Sequence, residues 1–312
     1  GEVDKETLRS KFLGSLIGTA AGDALGASVE GWRMVAEGEV KALAERGGLL
    51  IYTDDTHMAI GVAESLIAKR GFDGEHMAHT FIRNYDLEPF RGYGPGPPRI
   101  FRMIKGGDAW DKAAEKLYSG GSYGNGSAMR IAPIGVFYHD DPTSLKQVAY
   151  ESSHITHAHE LGKQGAALQA CAVALATEAE PSSLFASDEF LKGLKDFVEH
   201  EVYQQKLGCI ERLIGEGDKV KVVLELGNGI EAFNSVPTAI YSFLTHPQSF
   251  AEAIIYAISL GGDTDTIAAM TGAISGAYLG IEAIPETWKQ RLENREYIEE
   301  LAQKLWLIKM RR

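Results

Sequence analysis

Gly261-Gly262-Asp263-Thr264-Asp265-Thr266 runs directly into Ile267, Met270, Ile274 and Ala277, an apolar stripe at helical spacing that Gly280 and Pro285 bring to an end. The glycines read as a turn and the Asp-Thr-Asp-Thr as an acidic cluster held on a helix N-terminus. An earlier stretch repeats the arrangement. Tyr52-Thr53-Asp54-Asp55-Thr56 leads into Met58, Val62 and Leu66, with Ala59, Ala63 and Ile67 beside them; this second stripe predicts Asp54 or Asp55 at its N-cap. One aspartate before a helix is usually only a cap, but adjacent aspartates and then Asp-Thr-Asp-Thr exceed what capping needs. Thr53, Asp54, Asp55, Asp263, Asp265 and Thr266 offer oxygen alone, which suits a hard cation such as Mg²⁺, Mn²⁺ or Ca²⁺ rather than zinc. For so many carboxylates in one cleft, two metals about 4 Å apart is the expected arrangement.

Ahead of the first cluster, Leu8, Phe12, Leu16 and Ala20 recur at helical spacing, and Gly14, Gly18, Gly22 and Gly26 stand at four-residue intervals. Each glycine costs a helix about 1 kcal/mol relative to Ala, so a glycine face predicts another backbone in close approach. That central helix delivers Asp23 and Glu30 to its C-terminal end. Glu30 is read either as a solvated loop residue or as an acid, base or charge-stabilising group beside the metals. Residues 31–51 are mixed and expected to be irregular. Arg91-Gly92-Tyr93-Gly94-Pro95-Gly96-Pro97-Pro98 is a rigid loop, and Gly120-Gly121-Ser122-Tyr123-Gly124-Asn125-Gly126-Ser127 is a second, ahead of the apolar run Ala128 to Tyr138. Its glycines would let N–H groups point at a phosphate from a helix start. His154 to Ala176, Val223 to Leu244 and Phe250 to Leu260 read as helical, while the polar span 178–222 reads as a variable excursion from the core. Period-2 alternation and hairpin turns are lacking. The expected fold is all-α, one domain over 1–312.

Composition agrees with a globular chain: 312 residues, 45% hydrophobic and 24% charged. A formal net charge of −12 with no offsetting basic run argues against nucleic acid or an anionic membrane as partner. An anionic substrate must then be met by metals or backbone N–H groups. Cys171 and Cys209 are too few for a disulfide framework, so a cytoplasmic, reducing location is expected. Phe12 to Val29 is interrupted by Asp23 and glycines and reads as a buried helix rather than a membrane segment. His154, His157 and His159 have helical spacing but no thiolate or carboxylate at ligand spacing, so a single His facing a ligand is favoured over zinc. Tyr123 and Phe233 either stack on an aromatic ligand or fill the core. Sequences of the His-Glu-x-x-His and Walker types are missing. Diphosphate ionisation of the terpene-synthase kind wants an aspartate two residues beyond Thr56, where Met58 stands.

The pattern resembles the ADP-ribosyl-acceptor hydrolase family, the ADP-ribosylglycohydrolases. The matching pieces are Gly22-Asp23-Ala24-Leu25-Gly26 followed by Glu30, Tyr52-Thr53-Asp54-Asp55-Thr56, Gly92-Tyr93-Gly94, Gly124-Asn125-Gly126-Ser127-Ala128-Met129-Arg130, Thr156-His157-Ala158 and Gly261-Gly262-Asp263-Thr264-Asp265-Thr266. They run in family order over nearly the whole chain. The resemblance implies an all-α orthogonal helical bundle and dependence on two Mg²⁺ ions, with Mn²⁺ a possible substitute. Residues 121–126 and 225–233 look most like the branch that removes ADP-ribose from serine and degrades poly(ADP-ribose); span 178–222 looks shortened relative to vertebrate members. By this resemblance Thr53, Asp54, Asp55, Asp263, Asp265 and Thr266 hold the ions and Glu30 is catalytic. Gly94, Gly121, Ser122, Tyr123, Gly124, Asn125, His157 and Ile230 line the ADP-ribose pocket. The implied partners are ADP-ribose and ADP-ribosylated protein, bound by a monomer. Two alternatives stand beside this: hydrolysis of ADP-ribosyl-arginine, an N-glycosidic bond, and a non-catalytic ADP-ribose-binding or crystallin-like role. Glu30 and the full Asp and Thr set argue against the second.

Overall fold

Helix α1 (Lys5–Ala27) begins where the Asp4 side chain accepts the amide of Thr7, 2.8 Å away, and nearly every residue from Leu8 onward is buried. A computed structural model describes residues 2–182 and 184–312. In chain order the other helices are α2 (Glu37–Glu45), α3 (Asp54–Lys69), α4 (Gly74–Leu87), α5 (Gly96–Lys105), α6 (Ala113–Leu117), α7 (Ala132–Phe137), α8 (Pro142–His154), α9 (Glu160–Glu178), α10 (Ser187–Phe197), α11 (Glu201–Leu213), α12 (Lys219–Leu226), α13 (Val236–Thr245), α14 (Phe250–Ser259), α15 (Thr264–Leu279), α16 (Glu286–Arg291) and α17 (Arg295–Met310). Among the described residues the only β pairings are two isolated bridges, Leu50 with Leu292 and Gly124 with Glu231. None of the described helices is long and apolar enough to cross a membrane.

The glycine face of α1 meets α15. A Cβ added at Gly14, Gly18, Gly22 or Gly26 would collide with the carbonyl of Gly276, Gly272, Ala268 or Thr264 respectively. As one number climbs by four the other falls by four, so the helices are antiparallel and in fixed register. The C-terminal end of α1, with Asp23, therefore lies against the N-terminal end of α15, with Asp265 and Thr266. Lys11 locks the far end of the same seam: fully buried, its ammonium donates to the carbonyls of Ala176, Ala179, Ala277 and Tyr278, at the C-terminal ends of α9 and α15.

Local expectation and observed structure part company in several places. The span 31–51 is not wholly irregular: α2 forms there, burying Val40 and Ala44 one turn apart. In the run Ala128 to Tyr138 only Ala132–Phe137 is helical, so the glycine-rich loop does not open directly onto a helix start. Polar span 178–222 contains α10 and α11, whose Phe190, Leu191, Leu194, Tyr203, Leu207, Ile210 and Leu213 are buried in the common core. Gly227, at φ 90°, ends α12 and divides the apolar stretch that begins at Val223.

Candidate active site

Three chain segments meet at the inner end of the α1–α15 seam. The first is the turn after α1. Ser28 caps the helix, and Gly31 donates its amide to the Gly262 carbonyl (2.8 Å) while Gly262 returns a bond to the Trp32 carbonyl (3.0 Å). Glu30 is thereby tied to the loop before α15. Both glycines of that loop are at φ 74°, and a Cβ on Gly262 would strike the Asn228 carbonyl, so the turn needs glycine for conformation and for space.

The second segment is the start of α3, and here an expectation needs correcting. Neither Asp54 nor Asp55 is the N-cap; Thr53 is, and its side chain makes no capping bond. The cap comes from Asp23 of α1, which accepts from the Thr53 amide (2.9 Å), the Thr53 hydroxyl (2.7 Å), the Thr56 amide (3.2 Å) and the Thr56 hydroxyl (2.6 Å). With Asp23 doing the capping, Asp54 and Asp55 are released to face the cleft.

The third segment is the start of α15. Asp263 occupies the N-cap without a side-chain capping bond and instead accepts from the Asn125 amide group at 2.8 Å. Thr266 donates its hydroxyl to Asp55 at 2.7 Å, joining α15 to α3. Thr53 Oγ1 lies 2.7, 2.9 and 3.4 Å from carboxylate oxygens of Asp23, Asp55 and Asp265. One hydroxyl proton cannot serve three carboxylates, so negative charge is left over.

These carboxylates fall into two groupings whose ligand oxygens lie within 4.8 Å of one another: Asp23, Asp55 and Asp265, and Glu30, Asp263 and Asp265. Asp265 belongs to both, and its Oδ1 is buried with no hydrogen-bond partner. Burial, and after it the neighbouring charges, raise Asp54, Asp55 and Asp265 above the ordinary carboxylate range. Burial first and Asp55 second raise Asp23 and Glu30; burial and Glu30 raise Asp263, against the bonds it accepts. Among the described residues no Lys or Arg pairs with any of them. An oxygen-only set, largely buried but with Glu30 exposed, with shared and orphaned carboxylate atoms is compatible with divalent metal binding. A third grouping, Glu37, His246 and Glu252, differs because Lys219 and Lys41 already pair with its carboxylates.

The groupings form one wall of a cavity of about 370 Å³, within the range of small-molecule sites. Glu30, Thr53, Asp54, Asp55, Gly94, Ser122, Gly124, Asn125, His157, Ile230, Asp263, Asp265 and Thr266 all line it. Gly121 and Tyr123 do not. Gly121, at φ 83°, packs its Cα against Ala158 and His159. Tyr123 is half exposed, edge-on to His159 and tilted against Phe233. The opposite wall is built by pairing the glycine-rich loop with the segment around Ile230: Asn125 donates to the Ile230 carbonyl (2.8 Å) and Ala232 to the Tyr123 carbonyl (3.0 Å). The three histidines go separate ways, His154 to Glu115, His157 to Thr156 and His159 to the amide of Leu161, so they form no metal cluster. Asp23 is the residue whose place in the site sequence reasoning undervalued. Its signal was present, since it sits on the glycine face, but nothing local says that it caps a helix thirty residues on.

An all-α scaffold with carboxylate-rich helix ends around a ligand-sized cavity is compatible with an enzyme that binds divalent metal. The ADP-ribosylglycohydrolase family model matches residues 4–312. ADP-ribosylhydrolase ARH3 of mouse (Mus musculus) is 39% identical over 95% of this chain and 91% of its own length, and that of human (Homo sapiens) is 40% identical over 95% and 93%. A solved structure described as an ADP-ribosylglycohydrolase-related protein complex superposes with a TM-score of 0.78 at 28% identity, covering 98% of this chain and all of its own. The chain belongs to the ADP-ribosylglycohydrolase family and is a hydrolase of ADP-ribosyl bonds.

Proposed function

We propose that this enzyme hydrolyses the O-glycosidic bond joining ADP-ribose to serine or to the next unit of poly(ADP-ribose), with Mg²⁺ as its cofactor. The observation that carries the reading is the sharing of Asp265 between two carboxylate groupings, one of which contains Glu30, on the wall of a ligand-sized cavity. Thr53, Asp54, Asp55, Asp263, Asp265 and Thr266 are the residues to hold two ions, which when bound orient the ribose diol and polarise a water. Asp23 does not join them as an outward-facing ligand, because its oxygens are occupied in capping α3.

Glu30 lies in a turn pinned to the Gly262 loop. Burial, and after it the Asp55 charge, raise the hold of Glu30 on its proton, the direction that general acid catalysis needs. Glu30 gives that proton to the departing serine oxygen as the bond to the anomeric carbon breaks. Water adds to the oxocarbenium-like centre and its proton restores the acid. Ser122, Gly124, Asn125, His157 and Ile230 form the wall that receives the nucleotide portion, and Gly94 also lines the cavity.

The test is a serine-ADP-ribosylated peptide beside an arginine-ADP-ribosylated one, each with Mg²⁺ and with excess EDTA. Release of ADP-ribose from the serine peptide only when Mg²⁺ is present is the expected result. Full activity in EDTA sinks the metal assignment, and turnover of the arginine peptide alone replaces the acceptor.

A further inference from the structure

Behind the cavity wall lies a cation that the reaction as derived does not use. Arg130 is fully buried, and no carboxylate among the described residues pairs with it. Its guanidinium donates to the Thr156 hydroxyl (2.8 Å) and the Ser152 carbonyl (2.8 Å), rests 4.7 Å over the Phe81 ring, and leaves Nε without a partner. A buried unpaired charge is costly, which marks it as retained for a reason other than stability.

Thr156 continues the chain of bonds. Its oxygen receives a proton from Arg130, and its hydroxyl lies 2.7 Å from His157 Nδ1. An arginine can only donate, so the threonine proton is turned away from it and toward the imidazole nitrogen. Nδ1 then accepts and Nε2 carries the hydrogen. Burial, with the Arg130 charge second, pushes His157 down to about 3, so the ring is neutral at working pH. On its other edge Nε2 has no hydrogen-bond partner among the described residues and lies close to two glycines: a Cβ on Gly126 would come within 2.6 Å of it and one on Gly124 within 3.6 Å. His157, Gly124 and Gly126 all line the cavity.

We infer that Arg130 is a positioning residue which, through the Thr156 hydroxyl, fixes His157 in its Nε2–H tautomer, so that a neutral imidazole donates a hydrogen bond to a phosphate oxygen of the bound nucleotide. The inference rests on the proposed ADP-ribose ligand for its final step, but the tautomer lock is a property of the free protein. A charged imidazolium carries an N–H on both nitrogens and could bind phosphate through either; a neutral ring must present its single N–H, and the relay decides which nitrogen has it.

Thr156→Val removes the relaying hydroxyl at nearly constant shape, and Thr156→Ser restores it. Nitrogen NMR of ¹⁵N-histidine-labelled protein reads the tautomer directly. The expected result is an Nε2–H His157 in the parent and in Thr156→Ser, and loss of that single tautomer in Thr156→Val. ADP-ribose binding by Thr156→Val falls about tenfold, the scale of one charge-assisted hydrogen bond, while adenosine, which has no phosphate, binds as before. An unchanged tautomer in folded Thr156→Val overturns the relay. Equal losses for ADP-ribose and adenosine overturn the phosphate contact. If the parent binds no ADP-ribose, the proposed function fails, and the NMR result still decides the tautomer lock.

Discussion

The two walls of the cavity are electrostatic opposites built by the same device. On one side, Asp23, Asp54, Asp55, Asp263 and Asp265 are crowded together with no cationic partner, and burial and mutual repulsion push their protonation upward. On the other, Arg130 is buried with no anionic partner, and His157 beside it is pushed toward neutrality. Each wall is unsatisfied in the sense the other could answer, yet none of the described carboxylates reaches Arg130. Keeping them apart leaves room for a ligand that is anionic along one stretch and has to be met by cations along another. Among the described residues the acidic wall has no cation of its own, and Arg130 stands behind the opposite wall rather than on it.

Asp265→Asn breaks the acidic wall at the residue common to both carboxylate groupings and carries the largest expected effect. Activity should fall on the order of a thousandfold, since a metal's transition-state contribution is several kcal/mol. The diagnostic part is a divergence in sign. In EDTA the variant should melt higher than the parent, because an amide spares the fold the cost of protonating a buried carboxylate that is ionised in the unfolded chain; in Mg²⁺ the parent should gain stability by linkage and the variant should not. Calorimetry with and without Mg²⁺ reads both, and a variant that still gains in Mg²⁺ would falsify the shared-ligand role.

Gly22→Ala acts on the frame behind that wall. The new methyl meets the Ala268 carbonyl, so α1 and α15 must separate, at a cost of about 3 kcal/mol. Asp23 is the next residue, so the same shift loosens the cap on α3; Mg²⁺ should stabilise this variant less than it does the parent. A melting point within a degree of the parent would show that the seam yields elsewhere.

Glu30→Gln sharpens the division of labour. It keeps the turn and its backbone bonds to Gly262 but removes the proton. Turnover should fall about a hundredfold with ADP-ribose binding retained, the scale of a lost general acid. Equal losses in binding and turnover would make Glu30 a ligand of the metals and nothing more.

The acidic wall was legible in the sequence to an unusual degree because its residues are contiguous: Thr53 to Asp55 and Asp263 to Thr266 each sit at one helix start, where local pattern speaks. Glycine spacing in α1 likewise announced a close backbone approach. The identity of the partner was not announced, since antiparallel register with α15 is fixed by contacts between residues far apart in the chain. Asp23 shows the cost of that gap. A side chain that caps another helix in trans looks, in its own helix, like any buried aspartate. The opposite wall was readable through family resemblance at Ser122, Gly124, Asn125, His157 and Ile230, whereas Arg130, though it closes the matching motif Gly124 to Arg130, was given no role there, because its partners Ser152 and Thr156 lie more than twenty residues on. Helices α10 and α11 were missed although Phe190, Leu191 and Leu194, then Tyr203, Leu207, Ile210 and Leu213, recur at helical spacing; the charged residues between them hid the stripe, and in α2 only Val40 and Ala44 are buried.

Acid titration separates the walls by sign. In metal-free protein the raised carboxylates bind protons in the folded state that the unfolded chain does not. With Asp23 lifted from 3.8 to about 8, this wall gains stability as pH falls from about 8 toward 4. His157 does the reverse. Its folded value of about 3 lies below the ordinary 6.5, so the unfolded chain takes up a proton that the native ring refuses, and stability is lost as pH drops below 6.5. His157→Gln deletes the second slope and leaves the first. At pH 8 the variant should be less stable than the parent by a fixed amount, for the lost bond to Thr156. That deficit should shrink as pH falls from 6.5 to 5, by at most about 2 kcal/mol, the limit that one proton sets over this pH span. Urea melts in EDTA at pH 8, 6.5 and 5 measure it. A deficit that stays constant, or grows, means that His157 takes its proton in the folded state, and the neutral wall is then no more neutral than the acidic one.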